Sequence, residues 1–437
     1  MAFDTEARVM RMVAWRLVPF LSIGYLINAL DRFNVSIAAL TMNKALGLSA
    51  SAYGLAAGAF FWSYVLFQIP ANLILQRIGA RVWITLIMVV WGLCSAGTAF
   101  VTNETTFVIA RFLLGIAEAG FFPGVAYFMT CWFPARHRGQ AMGWFYAAGA
   151  FAGVVGAPLS ANLLRFDGWL GVQGWQWVFL IEGVPAIALA LLGPFILSNR
   201  PADASWLMPD DRVWLQQQLD AEATAKKGHG WGMLASIATP QVVLLTIAYL
   251  LMAYGVYSLT FFLPLIIKTM GFSNTLIGYL AALPNLFGSV GMVLFSRSSD
   301  RTGERVWHVV IPVILAGLGS VAAAVLLGSP LLTMVGLCVA GFGIASSLPV
   351  FWNLPTAYLG AASAAGGIAF INMIGNISGY AAPQVTGLLR DTSGGYELPL
   401  LVTGVLVLFA AVLILASGIR KHIAHTVRAA TPGIVLH

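Results

Sequence analysis

Long apolar segments recur along the whole of this 437-residue sequence and constrain its fold more than any other feature. A helix that crosses the hydrocarbon core of a bilayer needs about 20 mainly apolar residues. Segments of that kind lie near residues 15–40, 52–75, 82–101, 106–130, 139–163, 175–198, 241–267, 275–296, 307–328, 331–353, 362–388 and 397–418. Only 9% of the residues are charged, whereas a soluble domain carries about 25%. The sequence therefore predicts an all-α integral membrane protein with twelve transmembrane helices.

The distribution of Lys and Arg predicts the orientation of these helices. With the N-terminus inside, the inner segments hold seventeen basic residues and the outer segments hold four. Basic residues are enriched in cytoplasmic loops, so we expect both termini and the central loop in the cytoplasm of a bacterial inner membrane. The net charge of +7 is explained by these loops and does not indicate nucleic-acid binding. Residues 1–16 are polar, and the apolar segment after them is too long for a cleaved signal peptide.

One long polar segment, residues 199–240, leaves six predicted helices on each side. We expect an N-terminal six-helix bundle over residues 1–198, a cytoplasmic central loop over 199–240, and a C-terminal six-helix bundle with a cytoplasmic tail over 241–437.

The two halves are related by an internal repeat with a shift of about 225 residues. Three pairs of segments carry it: Ala157-Pro158 with Ala382-Pro383, Gly149 and Gly153 with Gly375 and Gly379, and the loop 76–81 with the loop 300–305. These matches predict two six-helix pseudo-repeats. Transporters built from such parallel repeats bind substrate between the halves near the bilayer midplane.

Five ionisable residues lie inside the predicted helices, all in the first half: Asp31, Arg32, Arg111, Glu118 and Glu182. Each costs at least about 2.5–3.5 kcal/mol in the hydrocarbon layer, so residues of this kind indicate function. The interiors of the last six predicted helices carry no such charge. The repeat has therefore become asymmetric, which indicates a division of labour between the halves.

The spacing and chemistry of these charges suggest separate roles. Arg111 and Glu118 are seven residues apart, which places them on one helix face about 10 Å apart. A guanidinium stays charged and binds carboxylates in a bidentate manner, so Arg111 is a candidate for binding a substrate anion. An apolar setting favours the neutral form of a carboxyl group, so Glu118 and Asp31 are candidate proton carriers. The alternative is a static ion-pair network, and Glu182 could equally face a headgroup or hold a neighbouring helix.

The second half offers uncharged polar groups instead. Asn372 and Asn376 are one helical turn apart and share a face. Amides at this depth usually bond neighbouring helices, and we favour ligand contact for Asn372. In the first half, Tyr64 offers a hydroxyl group at a similar depth.

Two motifs resemble a known family: residues 30–34, Leu-Asp-Arg-Phe-Asn, and residues 111–124, beginning Arg-Phe-Leu-Leu-Gly-Ile-Ala-Glu. With the loop 300–305, they make the chain similar to the major facilitator superfamily and, within it, to the anion:cation symporter family. That resemblance implies proton-coupled symport of a sugar acid, tartrate, phthalate, hydroxyphenylacetate or similar carboxylate. It implies proton sites at Asp31 and Glu118, and substrate or coupling contacts at Arg32, Tyr64, Arg111, Trp352 and Asn372.

The same comparison gives weaker indications of the substrate. Residues 174–183 look most like the tartrate and hydroxyphenylacetate branch of the family. A polar position expected in the fifth helix of sugar-acid carriers falls among Tyr146, Ala147, Ala148 and Gly149 here. Trp144, Phe145 and Tyr146 would suit an aromatic acid, and the identity of the anion stays open.

Two other classes of function compete with symport. An exchanger of phosphate and organic phosphates would use Arg32 and Arg111 as an arginine pair, but Asp31 and Glu118 would then lack a purpose. The second is a non-transporting sensor or membrane enzyme. An enzyme is not expected, because the sequence offers neither a metal-ligand cluster nor a nucleophile with a base. A sensor is not expected either, because it would normally carry a substantial extra soluble domain. We expect no cofactor and no metal, a monomer, and a small organic anion, protons and the lipid bilayer as partners.

Overall fold

The computed structural model describes residues 2–225, 239–359 and 361–419. These residues fold into helices α1 (Ala2–Ala45), α2 (Ala50–Ile78), α3 (Ala80–Gly97), α4 (Glu104–Glu118), α5 (Phe121–Trp132), α6 (Ala135–Leu163), α7 (Gly174–Ile196), α8 (Pro209–Ala225), α9 (Pro240–Lys268), α10 (Asn274–Thr302), α11 (Trp307–Val325), α12 (Pro330–Phe351), α13 (Asn353–Tyr358), α14 (Ala361–Ser393) and α15 (Glu397–Ala416). Short 3₁₀ turns occupy Thr98–Phe100, Leu164–Phe166, Trp169–Gly171 and Pro201–Asp203.

Eleven spans among the described residues are long and apolar enough to cross a membrane. α4 and α5 form one such span, Glu104–Trp132, and α12 and α13 contribute to another, Pro330–Thr356. The remaining segment, predicted near 362–388, lies within α14. The prediction of an all-α transmembrane fold is therefore confirmed. Five of the basic residues used to predict orientation lie outside the described residues: Lys226, Lys227, Arg420, Lys421 and Arg428.

Both copies of the duplicated loop turn at a glycine. Gly79 has a φ of 84° between α2 and α3, and Gly303 has a φ of 70° where α10 ends. Glycine adopts positive φ readily because it lacks a Cβ atom. The repeated motif therefore keeps a glycine where the chain reverses between consecutive membrane helices.

The chain divides into two compact units, each described by itself. Unit 1 contains residues 1–48 and 59–229, and unit 2 contains residues 49–58 and 230–437. In unit 1, α1 packs against α6 and α7, and α3 packs against α7. In unit 2, α9 packs against α14 and α15, and α11 packs against α15. The same packing pattern occurs in the same chain order, as expected for a duplicated six-helix unit.

A tyrosine packed on a glycine repeats in both units. A Cβ atom added to Gly149 of α6 would lie 2.4 Å from the ring of Tyr25 in α1. A Cβ atom added to Gly375 of α14 would lie 2.3 Å from the ring of Tyr249 in α9. Small residues allow such close approach between membrane helices. The Gly149 and Gly375 pair, which carried the repeat in the sequence, thus occupies equivalent packing positions.

Residues of the central polar segment pack on unit 1. Arg8 of α1 donates two hydrogen bonds, at 3.0 and 2.6 Å, to Asp211 of α8, whose side chain is buried. Trp206 stacks on Trp132 with ring centroids 5.4 Å apart. Arg138 reaches Glu222 at 3.2 Å. The first part of the segment between the predicted bundles is therefore a structured element of unit 1.

Candidate functional site

The predicted site residues of α4 lie in the interior of unit 1. Arg111 and Glu118 are each 1% exposed. α4 ends at Glu118 and α5 begins at Phe121, so the carboxyl group stands at an interruption of the span. This interruption was not predicted, since the sequence indicated one continuous helix there.

Close packing of α4 on α2 brings Arg111 beside an aromatic ring. A Cβ atom on Gly115 would lie 2.1 Å from Ser63 Oγ and 2.2 Å from the carbonyl oxygen of Phe60. Only glycine fits this contact without movement of α2. The Arg111 guanidinium carbon consequently lies 5.1 Å from the centroid of the Phe60 ring.

A second guanidinium shares the same aromatic surface. The Arg32 guanidinium carbon lies 5.4 Å from the centroid of Phe60 and 5.2 Å from that of Tyr64. The two rings are one turn apart on α2 and stack with centroids 5.7 Å apart. Cations are attracted to the faces of aromatic rings. The structure thus brings Arg32, Arg111 and Tyr64 together, and adds Phe60, which the sequence did not single out.

Glu118 faces these cations. Its Oε2 lies 3.4 Å from Nε of Arg32. Arg111 acts on the same carboxyl group electrostatically, and Asn28 of α1 is a polar neighbour. Among the described residues, Oε1 of Glu118 is buried with no hydrogen-bond partner. The carboxyl group is therefore only partly satisfied by its surroundings.

Asp31 is surrounded by a set of hydrogen-bond donors. Its Oδ1 accepts hydrogen bonds from Ser95 Oγ at 2.7 Å and from Asn34 Nδ2 at 3.1 Å. Its Oδ2 accepts one from the indole N–H of Trp91. Trp91 and Ser95 are one turn apart on α3 and were missed in the sequence, where they resemble ordinary apolar and small helix residues. Asp31 is 1% exposed.

Glu182 of α7 faces the interior of unit 1 and is 4% exposed. Ser160 of α6 lies 2.6 Å from its Oε1. Asp31 and Asn34 of α1 are its charged and polar neighbours. The alternative of a headgroup contact is therefore wrong, because the carboxyl group joins α7 to α6 and α1 instead.

Aromatic side chains adjoin the cation pair. Tyr25 stacks on Phe145 with centroids 4.3 Å apart, and Phe122 and Tyr146 complete the cluster. Tyr25 is in turn an electrostatic neighbour of Arg32. Tyr146, and Phe145, which is 0% exposed, thus contact Tyr25, the member of the cluster that neighbours Arg32.

Trp144 lies elsewhere in unit 1. It lines a separate cavity of about 800 Å³, together with Trp15 and His137. The aromatic-acid hypothesis therefore depends on Phe145 and Tyr146, without Trp144.

The polar residues predicted in the second half lie in unit 2. Trp352 packs against Tyr249 with ring centroids 4.8 Å apart. Asn372 is exposed on α14. Asn376, one turn further, accepts a hydrogen bond from the Tyr257 hydroxyl group at 3.4 Å. The combination of Trp352 and Asn372 with the residues of unit 1 stays a prediction.

A duplicated helical unit with buried charges defines a multi-pass membrane transporter, and comparison with known proteins agrees. The sequence profile of the Major Facilitator Superfamily matches residues 21–383. The chain belongs to this superfamily and is a transporter, not an enzyme.

Individual relatives support the assignment. The chain is 43% identical over 412 residues to a protein of Agrobacterium vitis assigned as a tartrate transporter, with 94% of this chain and 92% of that protein covered. It is 39% identical over 414 residues to a quinolone resistance transporter of Acinetobacter baumannii, covering 94% and 95%. These relatives confirm the resemblance to the Major Facilitator Superfamily and are consistent with the anion:cation symporter type.

A solved structure shares the fold. It is a bacterial homologue of the human lysosomal transporter Spinster in an inward-facing, unoccupied conformation. The TM-score is 0.77 at 20% identity, and 95% of this chain and 98% of that chain are covered.

Proposed function

We propose that this protein is a symporter that moves a small organic carboxylate together with protons by alternating access. The observation that carries the proposal is the pair of guanidiniums, Arg32 and Arg111, on the Phe60 ring, with the Glu118 carboxyl group against Arg32. Such a group can bind an anion and can exchange a proton at the same place.

The coupling follows from competition for Arg32. While Glu118 is ionised, it neutralises Arg32 and weakens binding of a second anion there. A proton on Glu118 removes that charge, and the substrate carboxylate then binds the exposed side of Arg32. Arg111, which is 1% exposed here, joins this contact as the site opens during the transport cycle. Substrate and proton therefore favour each other's binding, which is the thermodynamic requirement for symport.

Asp31 is the second proton-coupling residue in this proposal. Its three hydrogen-bond donors hold the carboxyl group at one position on α1, directly beside Arg32 in the chain. Glu118 is an electrostatic neighbour of Asp31. A change of charge at one carboxyl group is therefore felt at the other.

The substrate contacts are completed by Tyr64 from the first half and by Trp352 and Asn372 from the second. We infer bundles over residues 1–198 and 241–437, a cytoplasmic loop between them, and both termini in the cytoplasm of a bacterial inner membrane. A monomer is sufficient for this mechanism.

Tartrate is the first substrate to test, because a relative at 43% identity is assigned as its transporter. Aromatic acids are the second, because Tyr25, an electrostatic neighbour of Arg32, forms an aromatic cluster with Phe122 and Tyr146. A panel containing tartrate, a sugar acid and an aromatic carboxylate separates these classes.

The test is uptake of the radiolabelled panel into proteoliposomes, with and without an inward proton gradient. Wild type is compared with Glu118→Gln, and with Glu104→Gln, which alters an exposed residue at the start of the same helix. Accumulation that requires the gradient and is lost only in Glu118→Gln supports symport. Uptake that ignores the gradient and depends on internal phosphate or another anion identifies an exchanger.

A further inference from the structure

Glu182 belongs to a buried junction of three helices outside the cation pair. Ser160 of α6 contacts its Oε1 at 2.6 Å, and Asn34 of α1 is a polar neighbour. Ser160 and Asn34 are each 1% exposed. The same Asn34 donates a hydrogen bond to Asp31 at 3.1 Å, so this amide has both carboxyl groups as neighbours.

The three corresponding helices of unit 2 also meet at a polar junction, with no carboxyl group among its described residues. There, Ser258 of α9 lies 2.9 Å from Thr386 of α14 and 3.0 Å from Thr403 of α15. These are the helices that match α1, α6 and α7 in the repeat, and all three hydroxyl groups are buried. Hydroxyl groups thus suffice to hold three such helices together. Packing alone does not explain an acid at this place in unit 1.

The junction of unit 1 is short of hydrogen-bond donors. The single hydroxyl hydrogen of Ser160 is within reach of two acceptors, the Gly156 carbonyl oxygen at 3.0 Å and Glu182 Oε1 at 2.6 Å. Among the described residues, Glu182 Oε2 and Asn34 Oδ1 are also buried without a partner. A carboxylate only accepts hydrogen bonds, whereas a carboxylic acid donates one. A proton on Glu182 therefore supplies a donor that the junction lacks.

We propose that Glu182 is a third proton-binding group of the transport cycle, coupled to Asp31 through the Asn34 amide. This inference rests on the proposed proton symport. The groups that face the carboxyl from the helices packed on α7 are Asp31 and Asn34 of α1 and Ser160 of α6. α3 meets α7 at Gly183, through the Gly92 carbonyl oxygen and Ala96.

The direction of the coupling follows from charge. Asp31 and Glu182 repel each other when both are ionised, so the two groups titrate as a pair. A protonated Glu182 donates to the Asn34 oxygen, and Asn34 then donates more strongly to Asp31. Loss of the proton from Glu182 ends this donation and restores the charge repulsion. Proton uptake at Asp31 then becomes more favourable.

The decisive experiment measures the proton-to-substrate ratio of the full-length protein in proteoliposomes. The ratio is obtained from the membrane potential at which net transport of radiolabelled tartrate, or of the panel member carried best, stops. Glu182→Gln keeps the shape of the side chain, an acceptor for Ser160 and a donor for Asn34, but never ionises. We expect the ratio to fall by about one proton per substrate while substrate still binds.

Two further variants separate proton binding from packing. Glu182→Asp keeps an ionisable group and should keep the wild-type ratio. Thr403→Val removes a buried hydroxyl group from the unit 2 junction, and it should lower thermal stability without changing the ratio. An unchanged ratio in Glu182→Gln would show that the residue only holds helices together.

A second measurement serves if Glu182→Gln does not fold. Infrared difference spectra of wild type and Glu182→Asp, recorded across a pH titration, should differ in a titrating carboxyl band. Identical spectra would overturn the proposal. A wild-type protein that carries no protons at all would refute the proposed symport itself, which is a different outcome from an unchanged ratio in a coupled carrier.

Discussion

Nε of Arg32 lies 3.4 Å from Oε2 of Glu118, and the two side chains differ sharply in exposure, at 29% and 0%. The guanidinium of α1 can therefore meet a ligand, while the carboxyl group of α4 cannot. An anion that binds Arg32 must compete with Glu118 from the other side of the guanidinium. This asymmetry is the physical basis of the coupling proposed above.

Replacing Glu118 with Gln should separate binding from coupling. The neutral side chain no longer competes for Arg32, so substrate should bind at least as tightly as in wild type. Substrate binding to wild type should weaken as pH rises, because Glu118 ionises and competes with the substrate for Arg32. Substrate binding to the variant should change much less with pH. Equilibrium binding across a pH series measures this. An equally strong pH dependence in the variant would assign the effect to another group.

Replacing Arg111 with Ala should weaken substrate binding by about 10- to 100-fold, because a charge-assisted hydrogen bond contributes about 1.5–3 kcal/mol. Lys in its place should recover only part of the loss, since an ammonium group lacks the planar bidentate geometry. Calorimetry on the purified protein measures both. The matched control is Arg165→Ala, which removes an exposed arginine of unit 1. Equal losses at both positions would contradict a specific role for Arg111.

Adding one methyl group at Gly149 should destabilise unit 1. The new Cβ atom would lie 2.4 Å from the Tyr25 ring, and overpacking of this kind typically costs about 1–3 kcal/mol. Gly143→Ala is the control in the same helix, because a Cβ atom there meets nothing within 4 Å. Thermal unfolding in detergent should show a lower midpoint for Gly149→Ala only. Equal midpoints would mean that α1 and α6 separate easily.

Substitutions of two neighbouring acidic residues on α8 should differ in how strongly they loosen α8 from the rest of unit 1. Asp211 is buried against Arg8, whereas Asp210 is exposed. Asp211→Asn removes the charge that receives both Arg8 hydrogen bonds, so α8 should detach more often from unit 1. Limited proteolysis should then cut faster within residues 199–225, while Asp210→Asn should behave like wild type. Equal cleavage of the two variants would show that the ion pair does not hold α8.

The helices were predictable because hydropathy alone places apolar segments in the bilayer. The buried acids and bases were predictable for a related reason, since each stands out against an apolar background. Arg111 and Glu118 share α4 as their spacing indicated, and the Gly149 and Gly375 contacts follow the repeat read from the sequence.

The partners of these charges were not predictable. Phe60, Trp91 and Ser95 look like ordinary residues of a membrane helix. Their significance arises only when α2 packs on α4 and α3 packs beside α1. Tertiary neighbours, which no local pattern encodes, therefore determine most of the site.

The most direct test of the central claim is proton movement caused by the substrate alone. Proteoliposomes containing wild-type protein and an internal pH indicator are prepared with equal pH on both sides and no internal anion substrate. External tartrate, or the panel member carried best, is then added. Carboxylate–proton symport predicts acidification of the lumen, and Glu118→Gln should abolish it. Substrate entry without acidification, or entry only when an internal anion is supplied, would contradict the account.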